Sequence, residues 1–400
     1  MALPKALYEL EFNQGSAYGP EETETVLEVL NASAPSSGPK VKAFEEAFAA
    51  YCGRKYALAV SSCTAGLHLA MLAAGVGPGD EVITTPISWI STANAIAAAG
   101  ASVVFADVDP RTLNLDPASV AARITERTKA ILPVHLYGQP CDMDALAELA
   151  RPRGILLIED SAHAPGAEYK GRRTGTLGDI GVFSFHQQKN MTTLGEGGMV
   201  VTEDQKLYER VLSYRSLCCR SYDPKGKYLP IDETVEPMGK RYWYLNFDNV
   251  GYNYRMMDIQ AAVGLVQLRK LDGWNARRME IAKMYDERLK NIRGLTLPYV
   301  SPNVKHVFHI YTVLLQPDFP WTKDDFMWEM YMNRRIKVWS HYTPIHLSTV
   351  YQRLGHVEGE CPVAEACYKQ YVSLPIHPRL TPEAVDYLTT SILEMAHARI

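Results

Sequence analysis

The sequence predicts an α/β protein: a large domain with a mostly parallel seven-stranded sheet between helices, followed by a smaller C-terminal α/β domain. Three observations predict it. The chain has 400 residues, more than a single core usually supports. From about residue 56 to 202, short β-branched runs alternate with amphipathic or Ala-rich stretches, the pattern of a parallel sheet covered on both faces. A long helical pattern then runs from Asp258 to about Ile292 and leads into further strand-like runs. The implied division is 1–260, with an N-terminal arm, and 261–400, joined by the long helix.

The candidate strands are Ala57–Val60, Glu81–Thr84, Val103–Asp107, Ala130–Val134, Ile155–Glu159, Gly181–Phe185 and Met199–Thr202. Between them Ala65–Ala74, Ser91–Ala99, Pro117–Ile124 and Met143–Arg151 read as helices. Residues 221–248 are aromatic and without a clear period, so they read as one long loop, a length that usually serves binding or stays disordered. The long helix carries apolar residues at Ile259, Ala262, Val263, Val266 and Leu268, and beyond it His306–Leu315 and Ile336–His341 look like strands.

Composition narrows the function. Hydrophobic residues are 47% and charged residues 22%, an ordinary globular profile, and the net charge is −4. Nucleic-acid and membrane-surface proteins need concentrated positive charge, and no run of four or more Lys/Arg occurs. The start, MALPKALYELEFNQ, lacks a basic segment followed by an apolar core, so no secretory signal is expected. The most apolar stretch, Ala93–Phe105, is too short to span a bilayer and reads as a buried helix running into a strand. Seven scattered cysteines without a CxxC pair suggest reduced thiols in a cytoplasm and no metal site.

Ligands on parallel sheets collect outside the carboxyl ends of the strands, and four stretches lie there. Ser61-Ser62-Cys63-Thr64-Ala65-Gly66 opens a helix with small residues and hydroxyls, which suits an anion; simple N-capping explains it equally. The apolar strand ILLIE ends in Glu159-Asp160, followed by Ser161-Ala162-His163, where an isolated Asp160 could merely cap the next element. Trp89 follows Pro86-Ile87-Ser88, and a lone tryptophan is more often core than cofactor stacker. Lys189 sits in FHQQKNMTTLGEGG after Ser184, where a lone loop lysine is usually solvated.

One chemical demand accounts for all four. Pyridoxal 5'-phosphate needs a lysine to hold it as a Schiff base and later to move a proton. It needs a carboxylate against its pyridine nitrogen, a helix start with hydroxyls for its phosphate, and an aromatic plate on its ring. Lys189, Asp160, Ser62/Thr64/Ser184 and Trp89 supply these in turn.

On these residues the sequence resembles the fold-type I, pyridoxal-phosphate-dependent aminotransferases that act on keto sugars, the DegT/DnrJ/StrS family. The matching segments include SSCTAGLHLAML, SWISTANAI, IEDSAHAPGAEYKGRRTGTLGDIGVFSFHQQKN, GEGGMVVT, GYNYRMMDIQAAVG, HYTPIHL and LPIHP, from about residue 35 to 380. Within the family the motifs are nearest to enzymes that aminate a 4-keto pentose on UDP.

The resemblance implies roles residue by residue. Lys189 matches the Schiff-base lysine, Asp160 the partner of the ring nitrogen, His163 the group near the cofactor's 3-oxygen and Trp89 the plate over the ring. Cys63, Thr64, Ala65 and Ser184 match phosphate-side contacts. Asn253 matches an asparagine that reaches the neighbouring subunit's phosphate, which implies a homodimer with shared active sites. Arg255, His309 and His341 fall on the substrate side. The expected reaction moves an amino group from glutamate or glutamine to a keto sugar, most naturally a nucleotide-linked keto-deoxy sugar, with a keto-cyclitol as the alternative substrate. A dehydratase of the family would carry histidine in place of Lys189, and a non-catalytic regulator would not need Lys189 with Asp160. Residues 221–248 depart from the family by their length and add Asp232, Glu233 and Glu236 beside the substrate entrance.

Overall fold

The computed structural model describes residues 15–32, 38–221 and 245–397. All seven expected strands form one sheet: β1 (Tyr56–Val60), β2 (Glu81–Thr84), β3 (Ser102–Phe105), β4 (Thr128–Leu132), β5 (Leu156–Asp160), β6 (Ile180–Ser184) and β7 (Gly198–Thr202), in the order β1-β7-β6-β5-β4-β2-β3. β7 runs antiparallel to both neighbours, pairing Thr202 with Tyr56 on one side and with Ile180 on the other. The remaining pairs are parallel. β2, β6 and β7 are buried throughout and β4 and β5 nearly so, as a sheet covered on both faces requires.

Two helices precede the sheet, α1 (Pro20–Leu30) and α2 (Pro39–Cys52), and neither was expected. The signal for α2 was present: Val41, Phe44, Phe48 and Cys52 recur at three- and four-residue spacing, and all are buried against Phe183, Phe185 and Met199. Then come α3 (Cys63–Ala73), α4 (Ser91–Ala98), α5 (Pro117–Arg123), α6 (Met143–Ala150) and α7 (Gln205–Arg215). The helix α8 (Asp258–Leu289) is continuous over 32 residues. Its first half packs Ala261, Leu268 and Leu271 on Phe44 and Phe48. Its second half packs Ile281, Tyr285 and Leu289 in a separate core with Tyr311, Val313, Val372, Leu388 and Ile392.

Three expectations for the C-terminal half need revision or fall outside. Only Tyr311–Leu315 of the 306–315 run is a strand, β8, which pairs with β9 (Tyr371–Leu374). Residues 306–309 leave it because His306 Nδ1 accepts the Phe308 N–H and Val307 N donates to Gly138 O. The 336–341 run is no strand: it touches β9 through one bridge, Trp339 with Ser373, and then turns toward the site. The 221–248 loop lies mostly outside the described residues, and its flanks Cys219–Ser221 and Leu245–Phe247 pair antiparallel. Among the described residues no helix is long and apolar enough to cross a membrane.

Candidate active site

The carboxyl ends of β1, β2, β4, β5 and β6 open on one cavity of about 550 Å3. It is lined by Cys63, Thr64, Trp89, Asp160, His163, Ser184, Lys189 and His341, eight of the twelve residues expected from the sequence. Ser88, Thr92, His186, Glu196, Lys337, Trp339 and Tyr342 line it too and were not expected.

Lys189 is half-buried in the loop between β6 and β7. Burial pulls its amine down to about 8, with Asp160 and Cys63 opposing the shift. The Gly195–Gly198 run brings the loop back to the sheet. Gly197 has φ 157, and a Cβ there would overlap the Thr193 hydroxyl at 1.9 Å, so no other residue fits the turn.

Asp160 closes β5 and is buried. Its Oδ1 accepts the Ala162 N–H (3.1 Å) and its Oδ2 accepts the Thr92 hydroxyl (2.8 Å). Burial raises its pKa, while Thr92, the Ala162 amide, Lys189 and His135 work against that rise. The neighbouring Glu159 points to the opposite side of the strand. It accepts Leu177 N (2.7 Å), Gly178 N (2.6 Å), Gly175 N (2.8 Å) and pairs with His135 Nε2 (2.8 Å). Burial alone would raise Glu159; the His135 contact and the amides outweigh it and hold the carboxyl below its ordinary range.

At the helix start, Ser62 caps α3 by accepting the Ala65 N–H (3.1 Å), so Ala65 is buried and its amide already used. The Thr64 hydroxyl reaches Ser91 Oγ (2.9 Å). With Ser184 at the end of β6, this gives a hydroxyl-lined helix N-terminus facing the cavity, the chemistry a phosphate requires. Trp89 lies 61% exposed at the rim with Tyr342 edge-on to it at 6.1 Å.

Two histidines, His163 and His341, line the opposite wall. His163 Nδ1 accepts the Tyr137 N–H (3.3 Å), which assigns the proton to Nε2, 3.2 Å from the Tyr342 hydroxyl. The third histidine, His309, lies behind His163 with its ring tilted at a centroid distance of 4.6 Å and does not itself line the cavity. Burial, reinforced by Lys189, lowers all three, His341 to about 3, so the wall stays neutral. Asn253 and Arg255 are not in the lining either. Their segment runs along the outer side of β1, with Arg255 bridged to Val60 and Asn253 exposed.

A lysine of lowered pKa, a buried carboxylate, a hydroxyl-rich helix start and an exposed indole therefore meet at the carboxyl edge of a mostly parallel sheet. The fold and this site define a pyridoxal-phosphate-dependent aminotransferase of fold type I. The chain belongs to the DegT/DnrJ/EryC1/StrS aminotransferase family, whose model matches residues 17–393. GDP-perosamine synthase from Caulobacter vibrioides is 40% identical over 373 residues, 93% of this chain and 94% of that protein. Among solved structures, S. venezuelae DesV matches with a TM-score of 0.85 at 36% identity, covering 95% of each chain. Helicobacter pylori PseC, an aminotransferase involved in the biosynthesis of pseudoaminic acid, matches with a TM-score of 0.87 at 31% identity, covering 97% of this chain and 99% of its own. The protein is thus a sugar aminotransferase of amino-sugar biosynthesis.

Proposed function

We propose that the protein transfers the amino group of glutamate or glutamine to the keto group of a nucleotide-linked keto-deoxy sugar, in the cytoplasm. The observation that carries the reading is Lys189, with its amine lowered to about 8, beside Asp160 in one cavity. Bound there, pyridoxal phosphate supplies an electron sink for the carbon that bears the migrating nitrogen.

The residues of the chain do the rest. Thr64, Ser184 and the α3 N-terminus would hold the phosphate, with Cys63 lining that end of the pocket and Ala65 buried behind it. Asp160 would face the ring nitrogen, Trp89 would cover the ring and His163 would stand toward the 3-oxygen. Lys189, unprotonated near neutral pH far more often than a solvated lysine, takes the proton from the substrate carbon and returns it.

The nucleotide-linked form of the substrate is favoured over a keto-cyclitol by the cavity mouth. Ile336 and Val338 point into the core, so Lys337, Trp339 and His341 present a cation, an indole and an imidazole along one side of the cavity. Lys337 Nζ lies 5.6 Å over the Trp339 ring, a pairing suited to a diphosphate next to a base. His309 lies behind His163, and Arg255 stands at the carboxyl end of β1, bridged to Val60. A nucleotide-linked product is also what the name of the Caulobacter relative states.

The test is spectroscopic. The purified protein should be yellow, and its near-visible absorbance should shift with glutamate or glutamine and return on adding nucleotide-linked keto sugars. Lys337→Met should raise the half-saturating concentration of the sugar about tenfold and leave the amino-donor step unchanged. No shift with either donor would sink the reaction, and return with keto-cyclitols alone would sink the nucleotide reading. The exposed Asn253, together with exposed Val250 and Met257 nearby, further supports a homodimer in which Asn253 completes the partner's phosphate site. A solution mass of one chain at working concentration would refute it.

A further inference from the structure

Asp160 is the one group in the cavity whose charge state decides how strong an electron sink the ring becomes, yet burial drives it toward the neutral acid. What opposes burial is local and directional. Thr92 has a single hydroxyl proton, and it goes to Asp160 Oδ2. Its oxygen is 2.8 Å from Ser88 Oγ, so with its own proton spent it can only accept there, and Ser88 must donate. All three side chains are buried, with exposures of 3% for Ser88, 1% for Thr92 and 3% for Asp160. In such surroundings each bond of a hydroxyl chain polarises the next.

We propose that Ser88 and Thr92 form a one-way hydroxyl relay that holds Asp160 as a carboxylate and fixes the oxygen it offers to the cofactor's ring nitrogen. The inference rests on the assignment of Asp160 to that nitrogen. Neither hydroxyl is used elsewhere: α4 has no side-chain cap, although Ser88 and Thr92 flank its start. The relay also fixes Asp160 relative to the ring face. Trp89 lies between the two hydroxyl residues, and Thr92 N donates to Trp89 O (3.1 Å), so one turn sets both the plate and the carboxylate. The other titratable groups facing Asp160 come from separate elements: Lys189 from its loop, His135 from the end of β4, Cys63 from α3, Cys141 from the turn before α6 and Tyr342 from the cavity wall. None of them supplies a hydrogen bond to either carboxylate oxygen; Thr92 and the Ala162 amide do. Thr92 is therefore a positioning residue that acts through Asp160.

The experiment uses holoenzyme loaded with ring-15N pyridoxal phosphate and compares wild type, Thr92→Val, Thr92→Ser, Ser88→Ala and Asp160→Asn. The expected result is a ring-nitrogen resonance at the protonated position in wild type and Thr92→Ser. In Asp160→Asn it should move to the unprotonated position, and in Thr92→Val part of the way in the same direction. Ser88→Ala should follow with a smaller shift. Cofactor affinity should fall about tenfold in Thr92→Val and recover in Thr92→Ser. A Thr92→Val resonance identical to wild type, with Asp160→Asn shifted, would overturn the relay alone. An unshifted Asp160→Asn would overturn both the relay and the assignment of Asp160. Retained cofactor binding in Thr92→Ser separates the loss of a donor from a failure to fold.

Discussion

Lys189→Ala should leave a folded protein whose turnover has fallen by at least about 10³-fold. In the proposed reaction the amine would do two things, hold the cofactor covalently and shuttle the proton, and positioned general bases alone contribute roughly 10²- to 10⁴-fold. Among the described residues the only other amine lining the cavity is that of Lys337, on the side built by Trp339 and His341. Steady-state assays with both substrates check this, and turnover within tenfold of wild type would end the assignment.

A stability measurement on cofactor-free protein adds a sign. The folded pKa of Lys189, about 8, lies below its ordinary 10.5, so in that window the unfolded chain binds the extra proton. Stability contributed by this site therefore rises with pH between the two values. Lys189→Met should be more stable than wild type below pH 8, by no more than roughly 3 kcal/mol, with the gap closing above pH 10. An equal gap at both pH values would show that the amine is not desolvated.

Glu159→Ala should be the most destabilising single change near the site, by about 4 kcal/mol. One carboxylate gathers three amides of the 175–178 turn and the His135 imidazole, and its removal strands all four in a buried space. Glu159→Gln should lie between wild type and alanine, because one amide oxygen still serves Leu177 and Gly178 while the NH2 faces the Gly175 donor. The folded pKa is depressed below its ordinary 4.5. The contribution is thus present above that value and is lost as pH falls through the folded one, so wild type and Glu159→Ala should converge in acid. Urea titrations across pH 3 to 7 measure it, and a pH-independent difference would contradict the ionised carboxylate.

The sheet was legible because its strands are apolar on both faces and separated by helical stretches of ordinary length; each boundary falls within two residues of expectation. The site was legible where chemistry demands unusual residues at strand ends, as with Lys189, Asp160 and Trp89. Thr92 was not, because a hydroxyl in an Ala-rich helix carries no charge signal and its partner lies 68 residues away. The 336–341 run misled for a physical reason. Its alternation of buried Ile336 and Val338 with Lys337 and Trp339 is real, but the outward face borders a cavity instead of pairing in a sheet. Arg278 was equally hidden, one basic residue in the charged stretch NARRMEIAKMYDERLK.

That arginine has a topological consequence. Fully buried and without a carboxylate partner among the described residues, its guanidinium donates to the carbonyls of Gly15 (2.6 Å), Ile376 (2.7 Å) and Phe308 (3.3 Å). Gly15 in turn presses on the loop of Lys189 so closely that a Cβ there would sit 2.2 Å from Lys189 O. The backbone under Lys189 is therefore knotted by stretches from the beginning, the middle and the end of the chain. The lysine's address is written in residues 15, 278 and 376 as much as in its own loop, and transplanting FHQQKNMTTLGEGG to another scaffold would carry the amine without its foundation.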